Sequence, residues 1–132
     1  MIDIDNAVKV FKEYIEPYNS MEDVAGFKLK EEHTYNVMKK SRELAELIGL
    51  DEENVKLAEL LGLLHDIGRF DEMKIMNSFD ANRFDHAKHG VEVLRENGLM
   101  RKFIADSKFD YVIERAIYHH NKLNIYKNRR WK

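Results

Sequence analysis

Cysteine is absent from this 132-residue chain, and proline occurs only once. Without cysteine the chain forms no disulfides, and any metal ion must bind through nitrogen and oxygen ligands. No apolar run approaches the roughly 20 residues that a membrane-spanning helix needs. The N-terminal sequence Met1-Ile2-Asp3-Ile4-Asp5 is acidic and lacks the basic, then apolar order of a signal peptide. We therefore expect a cytoplasmic protein without a membrane partner.

The chain also lacks an excess of either charge, since its formal net charge is −2. A nearly neutral chain gives no reason to expect a nucleic-acid partner. The last twelve residues, 121–132, are an exception, because they hold five basic residues together with Tyr126 and Trp131. This segment fits a nucleic-acid or phosphate-binding tail, but we favour a solvated terminus, which is the usual role of such charge runs.

The composition, with 44% hydrophobic and 35% charged residues, is that of a folded globular protein. The length is sufficient for one core, so we expect a single domain over residues 1–132. Apolar residues that recur every three or four positions predict helices throughout, and hence an all-α, compact helical bundle. The predicted helices cover residues 4–16 (ended by Pro17), 29–50 (ended at Gly49), a central helix capped by Asp51, 84–97 (ended by Asn97-Gly98), 99–105 and 109–120. The predicted loops are residues 18–27 and 67–82, and the second of these is compatible with a short helical turn.

The central helix carries the most informative stretch of the sequence. Apolar residues lie on every side of it between Leu57 and Leu64, so this helix must be at the centre of the fold. It is followed directly by His65-Asp66, and then by Gly68 and Arg69. Burying such polar side chains costs several kcal/mol unless they are paired or bind a metal. The doublet therefore needs a structural or chemical partner.

All six histidines fall near predicted helix ends or along helix faces: His33, His65, His86, His89, His119 and His120. In a helical bundle, ligands from different helices converge on one internal point, and imidazole is the commonest metal ligand. Taken singly, each histidine is more often a surface or hydrogen-bonded residue, and His89 beside Lys88 fits that interpretation best. Spacing alone leaves a metal site and a polar network equally open.

Four ordered motifs resemble the HD superfamily of metal-dependent phosphohydrolases, and they cover roughly residues 28–121. The first two are Lys30-Glu31-Glu32-His33-Thr34 and His65-Asp66-Ile67-Gly68-Arg69-Phe70. Asp85-His86-Ala87-Lys88-His89-Gly90-Val91 and Ala116-Ile117-Tyr118-His119-His120-Asn121 are similar to motifs of a branch with extra histidines. Four motifs in this order are more specific than the His-Asp doublet alone.

The resemblance implies an all-helical HD-like domain with one or two divalent metal ions. It implies a first metal bound by His33, His65 and Asp66. In the branch with extra histidines it implies a second metal, bound here by His86, His119 and His120. His86 is preferred to His89 because of its distance from Gly90 in the family pattern.

The chain departs from the family pattern at one ligand. The family closes its first metal site with an aspartate on a later helix, and no aspartate follows Asp110 here. Either the chain lacks the C-terminal helix that carries this aspartate, or another group completes the site. Asp80, Asp85, water and a neighbouring chain are the alternatives.

The function implied by the resemblance is hydrolysis of a phosphomonoester or phosphodiester, with a nucleotide as the expected small phosphorylated substrate. We expect in-line attack on phosphorus by a metal-bound hydroxide. Asp66 either orients this hydroxide or bridges the two metal ions. His119 or His120 is the candidate acid for the leaving group. Lys30 and Arg69 are candidates for binding the substrate phosphate, although surface ion pairs are the alternative for both. Mixed nitrogen and oxygen ligands suit Fe, Mn, Co, Ni, Zn or Mg.

Two other functions remain open at this point. One is a catalytically impaired HD-like module that binds metal or nucleotide for sensing or scaffolding, as the missing aspartate would allow. The other is a helical interaction domain whose histidines never meet. Because metal–nitrogen bonds are about 2 Å long, a separation of His33 and His65 beyond about 8 Å would favour this last alternative.

Overall fold

The computed structural model describes residues 2–19, 25–70 and 86–119, except for the side chains of residues 25 and 86. These ranges contain helices and turns and no strand, which confirms the predicted all-α fold. We number the helices α1 (Ile4–Asn19), α2 (Ala25–Leu47), α3 (Glu52–Leu64), α4 (His86–Arg95), α5 (Leu99–Phe103) and α6 (110–119). Single-turn 3-10 helices, Glu96–Gly98 and Ser107–Phe109, precede and follow α5, and residues 68–70 are also helical.

The prediction that Pro17 ends the first helix was wrong, because α1 continues to Asn19. Proline removes one hydrogen bond, to the carbonyl four residues earlier, which here belongs to the exposed Glu13. The following residue holds the last turn in place, because the Tyr18 ring is buried between Phe27 and Phe70, at centroid distances of 5.6 and 5.9 Å. Packing of one aromatic ring therefore outweighs the local effect of the proline.

The turn between α2 and α3 agrees with the sequence prediction at both of its ends. Helix α2 begins four residues earlier than predicted, but it stops before Gly49, whose φ of 80° is a left-handed conformation that favours glycine. The side chain of Asp51 then caps α3 by accepting a hydrogen bond from the backbone N–H of Asn54 at 2.9 Å.

Helices α2 and α3 form an antiparallel hairpin with very close backbones. Gly62 on α3 lies against Met38 on α2, and a Cβ atom at Gly62 would be only 2.8 Å from the Met38 Cα. On α2, five residues before Met38, His33 meets His65 across the same pair of helices, with the ring centroids 5.9 Å apart. The absence of a side chain at Gly62 thus sets how closely the two helices approach beside the histidines.

The core surrounds α3, as the sequence predicted for a helix without a wet face. Leu60, Leu63 and Leu64 are fully buried, and so are Ile67 and Phe70 just beyond the helix end. The Phe70 ring contacts Phe11, Tyr18 and Phe27 at centroid distances of 5.8–6.3 Å. The segment after the His-Asp doublet is therefore anchored in the core on both sides.

Helix α4 packs on this segment through Gly90, where a Cβ atom would lie 3.2 Å from Ile117 of α6 and 3.5 Å from Ile67. The helix stops as predicted, because Asn97 and Gly98 have φ values of 54° and 69°. Of the predicted 67–82 loop, residues 68–70 are helical, and residues 71–82 lie outside the described residues. Among the residues that are described, no helix combines the length and apolar character needed to cross a membrane.

Candidate metal centre

The turn at the end of α3 brings the His-Asp doublet against α2. Residues 65–67 form the turn, in which the backbone N–H of Arg69 donates to the Asp66 carbonyl at 2.9 Å. One ligand atom each from His33, His65 and Asp66 lies within 4.8 Å of the other two. The ring centroids of the two histidines are 5.9 Å apart. The alternative of a domain whose histidines never meet therefore fails for this pair.

The orientation of His65 is set by a backbone carbonyl. Its Nδ1 lies 2.6 Å from the Gly62 oxygen. A carbonyl oxygen only accepts hydrogen bonds, so we assign the proton of the neutral ring to Nδ1 and the lone pair to Nε2. Metal-binding histidines commonly make this kind of contact with their second nitrogen, because it fixes the ring orientation and the tautomer.

The second ring nitrogen of His65, Nε2, faces the carboxylate of Asp66 and lies 3.2 Å from Oδ2. Two lone-pair atoms at this distance repel each other unless a proton or a cation compensates. Two ligands at an angle of about 90–110° on one ion, with bonds of about 2.1 Å, are separated by about 3.0–3.4 Å. The spacing of these two atoms therefore fits adjacent positions on a single metal ion.

The carboxylate of Asp66 is buried among positive charges, with its side chain only 8% exposed. Lys30 Nζ donates to Oδ2 at 3.0 Å, and Arg69 Nε lies 3.8 Å from Oδ1. A carboxylate removed from water in this way is tolerated because cations surround it. Lys30 and Arg69, the two candidates for phosphate binding, thus both lie beside the candidate metal ligand Asp66.

His33 supplies the open side of the cluster, since this residue is exposed while Asp66 is buried. Desolvation by its surroundings, followed by the positive charge of Lys30, holds the pKa of His33 below its ordinary value, and the charge of Asp66 opposes this shift. A lowered pKa keeps the imidazole neutral to lower pH, and the neutral ring is the form that binds metal.

The predicted second metal set falls mostly outside the described residues. The side chain of His86 and all of His120 are not among them. Asp80 and Asp85, the alternatives for completing the first site, also lie outside the described residues. His119 is described, and its ring packs edge-on against Tyr118 at 5.0 Å. The second metal and the proton-donor role of His119 or His120 stay predictions.

His89 lies outside the cluster of His33, His65 and Asp66. Its Nδ1 is 3.8 Å from Glu92 Oε2 on the same helix. Among the described residues, only His33, His65 and Asp66 form a group able to hold an ion.

Gly62 is a site residue that the sequence analysis missed. Its carbonyl oxygen accepts a hydrogen bond from His65 Nδ1, and its lack of a side chain allows α2 to approach. A signal was present, because glycine costs about 1 kcal/mol relative to alanine inside a helix and here interrupts a run of leucines. Such a glycine indicates a close approach of another backbone.

Comparison with known proteins gives one family. The family model described as the HD domain matches residues 31–131. This range begins on α2, two residues before His33, and includes the His-Asp doublet and both later histidine motifs. No curated protein and no solved structure matches the chain significantly.

Proposed function

Because this chain belongs to the HD domain family, we propose that it is a metal-dependent phosphohydrolase. The proposed substrate is a phosphomonoester or phosphodiester, with nucleotides as the substrate class. The convergence of His33, His65 and Asp66 within 4.8 Å is the observation that carries the proposal. Members of this family typically bind divalent metals, and two imidazole nitrogens with one carboxylate oxygen are a suitable donor set.

Three protein ligands are the arrangement of catalytic rather than structural metal sites, because they leave a coordination position for water or substrate. A bound divalent ion supplies Lewis acidity toward phosphoryl oxygens and lowers the pKa of its water to about 7 in favourable cases. The exposure of His33 supports access of a substrate to that open side. We propose Fe, Mn, Co, Ni, Zn or Mg as the ion.

Lys30 and Arg69 are proposed to bind the phosphoryl group. Both lie beside Asp66, so the site holds two permanent cations for one carboxylate before any metal binds. This excess of positive charge favours an anionic substrate. The arginine fork suits two-point contact with phosphate oxygens, while the lysine acts as a mobile point charge. Asp66 orients the attacking water in this proposal.

The first test is elemental analysis of purified protein, for the parent and for the His65→Ala, Asp66→Ala double variant. We expect a stoichiometric divalent metal in the parent and its loss in the double variant. His89→Ala is the matched control, because His89 lies outside the cluster. A parent protein without stoichiometric metal, even after reconstitution, would count against the proposal.

The second test is hydrolysis of p-nitrophenyl phosphate, bis-p-nitrophenyl phosphate and nucleoside phosphates with added Mn²⁺. We expect turnover that depends on both the metal and Asp66. Metal or nucleotide binding without turnover would instead favour the alternative function, a module for sensing or scaffolding.

A further inference from the structure

Two groups contact the same oxygen atom of Asp66. Lys30 Nζ is 3.0 Å from Oδ2, and His65 Nε2 is 3.2 Å from that same atom. Arg69 differs, because its Nε approaches the other oxygen, Oδ1, at 3.8 Å. The oxygen that faces the histidine cluster is therefore the one that Lys30 neutralises.

A metal ion and the Lys30 ammonium cannot share this oxygen without strong repulsion. With a metal–oxygen bond of about 2.1 Å and the present Lys30 contact of 3.0 Å, the two cations would be no more than about 5 Å apart. The side chains of Asp66 and Lys30 are only 8% and 16% exposed, so water screens this repulsion poorly.

Lys30 has a second position within its reach. It lies on α2 three residues before His33, so both side chains project from the same face of the helix. A lysine side chain is flexible, and its ammonium group accepts any arrangement of neighbouring oxygens. A phosphoryl group bound at the exposed side, next to His33, would offer such oxygens.

We propose that Lys30 and the metal ion compete for Oδ2 of Asp66, so that metal binding transfers the Lys30 ammonium from Asp66 to the substrate phosphoryl group. This inference rests on the proposed function, because it assumes that the cluster binds a metal and that a phosphate ligand follows. Metal binding then becomes a precondition for phosphate binding, through one lysine with two alternative partners.

The competition is tested by titrating the metal-stripped full chain with Co²⁺, whose absorption spectrum reports binding directly. We expect Lys30→Met to bind Co²⁺ about tenfold more tightly than the parent, because the competing charge is removed. Lys30→Arg keeps the charge and should stay close to the parent. Lys28→Met is the matched control, since it removes an exposed lysine from the same helix. A merely structural role for Lys30 would not raise the metal affinity.

The transfer is tested by titrating the Co²⁺-saturated proteins with inorganic phosphate. We expect Lys30→Met to bind phosphate about tenfold more weakly than the parent, although it binds metal more tightly. Lys28→Met should again behave as the parent. Opposite changes in metal and phosphate affinity are the signature of a lysine that moves between two partners.

Unchanged or weaker Co²⁺ affinity in Lys30→Met, while the parent binds Co²⁺, would overturn this inference and leave the proposed function standing. A parent protein that binds no Co²⁺ would overturn both. Circular dichroism checks that each variant is folded, and Lys30→Gln replaces Lys30→Met in the same titrations if the methionine variant does not fold.

Discussion

The two ends of the α2–α3 hairpin treat charged and apolar side chains in opposite ways. At the end that carries His65, named the metal end after the candidate site, the carboxylate of Asp66 is buried, with Lys30 and Arg69 beside it. At the other end, around the turn, apolar side chains are exposed, and Leu47 is 82% accessible. One pair of helices therefore buries charge at one end and exposes leucine at the other.

This difference shows which interactions stabilise each end. Ion pairs at the metal end contribute little net stability, because desolvation offsets most of their attraction. The metal end is held instead by the apolar residues beneath it, Leu63, Ile67 and Phe70, which are fully buried. The turn end depends on local features, the left-handed Gly49 and the cap at Asp51. We expect the site residues to be replaceable without unfolding the chain.

The largest effect is expected at the buried carboxylate. Asp66→Asn keeps the shape of the side chain but removes the charged ligand, so metal binding should be lost and hydrolysis should fall by more than about 100-fold. Circular dichroism should still show a helical, cooperatively unfolding protein. Asp5→Ala, which removes an exposed carboxylate from α1, is the control. Loss of folding in Asp66→Asn would contradict the view that this end is held by its apolar residues.

The next effect should come from the contact that joins the two helices. Gly62→Ala places a Cβ atom 2.8 Å from the Met38 backbone, so α2 must move. We expect the free energy of unfolding to fall by about 1–3 kcal/mol in urea denaturation. Metal affinity should fall as well, because α2 carries His33 away from His65. Helix propensity alone predicts the opposite sign, about 1 kcal/mol of stabilisation, and that result would show that the helices separate without cost.

A smaller effect is expected at the turn end. Asp51→Ala removes the oxygen that accepts the Asn54 N–H, and loss of such a cap typically costs about 1 kcal/mol. Asp51→Ser should retain most of the stability, because serine also caps helices. Neither variant should change metal affinity, and a change measured by Co²⁺ titration would show that the two ends are coupled.

The smallest effect concerns Glu59, a carboxylate on α3 seven residues before Asp66. Desolvation raises the pKa of Glu59, while the charge of Arg42 opposes this shift and that of Glu46 adds to it. Because the pKa is higher in the folded state, the stability that the protonated group contributes is lost as the pH rises through that pKa. As the pH rises from about 4 to about 7, the free energy of unfolding of Glu59→Gln should therefore increase relative to that of the parent, by at most about 0.5 kcal/mol. Urea denaturation at both pH values measures this gain, and a relative loss would contradict the sign.

Much of the fold was predictable because its signals are local. The cap at Asp51, the stop at Gly49 and the break at Asn97-Gly98 were all read correctly, since each depends on the backbone preferences of one or two residues. Pro17 was misread for the opposite reason. Its helix continues because Tyr18 packs between Phe27 and Phe70, which lie at least nine residues away in the sequence.

The sequence by itself determined the helical class, the buried central helix and, through the HD motifs, the chemical character of His33, His65 and Asp66. Only the tertiary structure decided that these three side chains meet within 4.8 Å and that Lys30 lies on Asp66. It also decided that Gly62 lies against Met38. The physical reason is that helical periodicity fixes the face on which a side chain lies, whereas the distance between two helices depends on how their side chains pack.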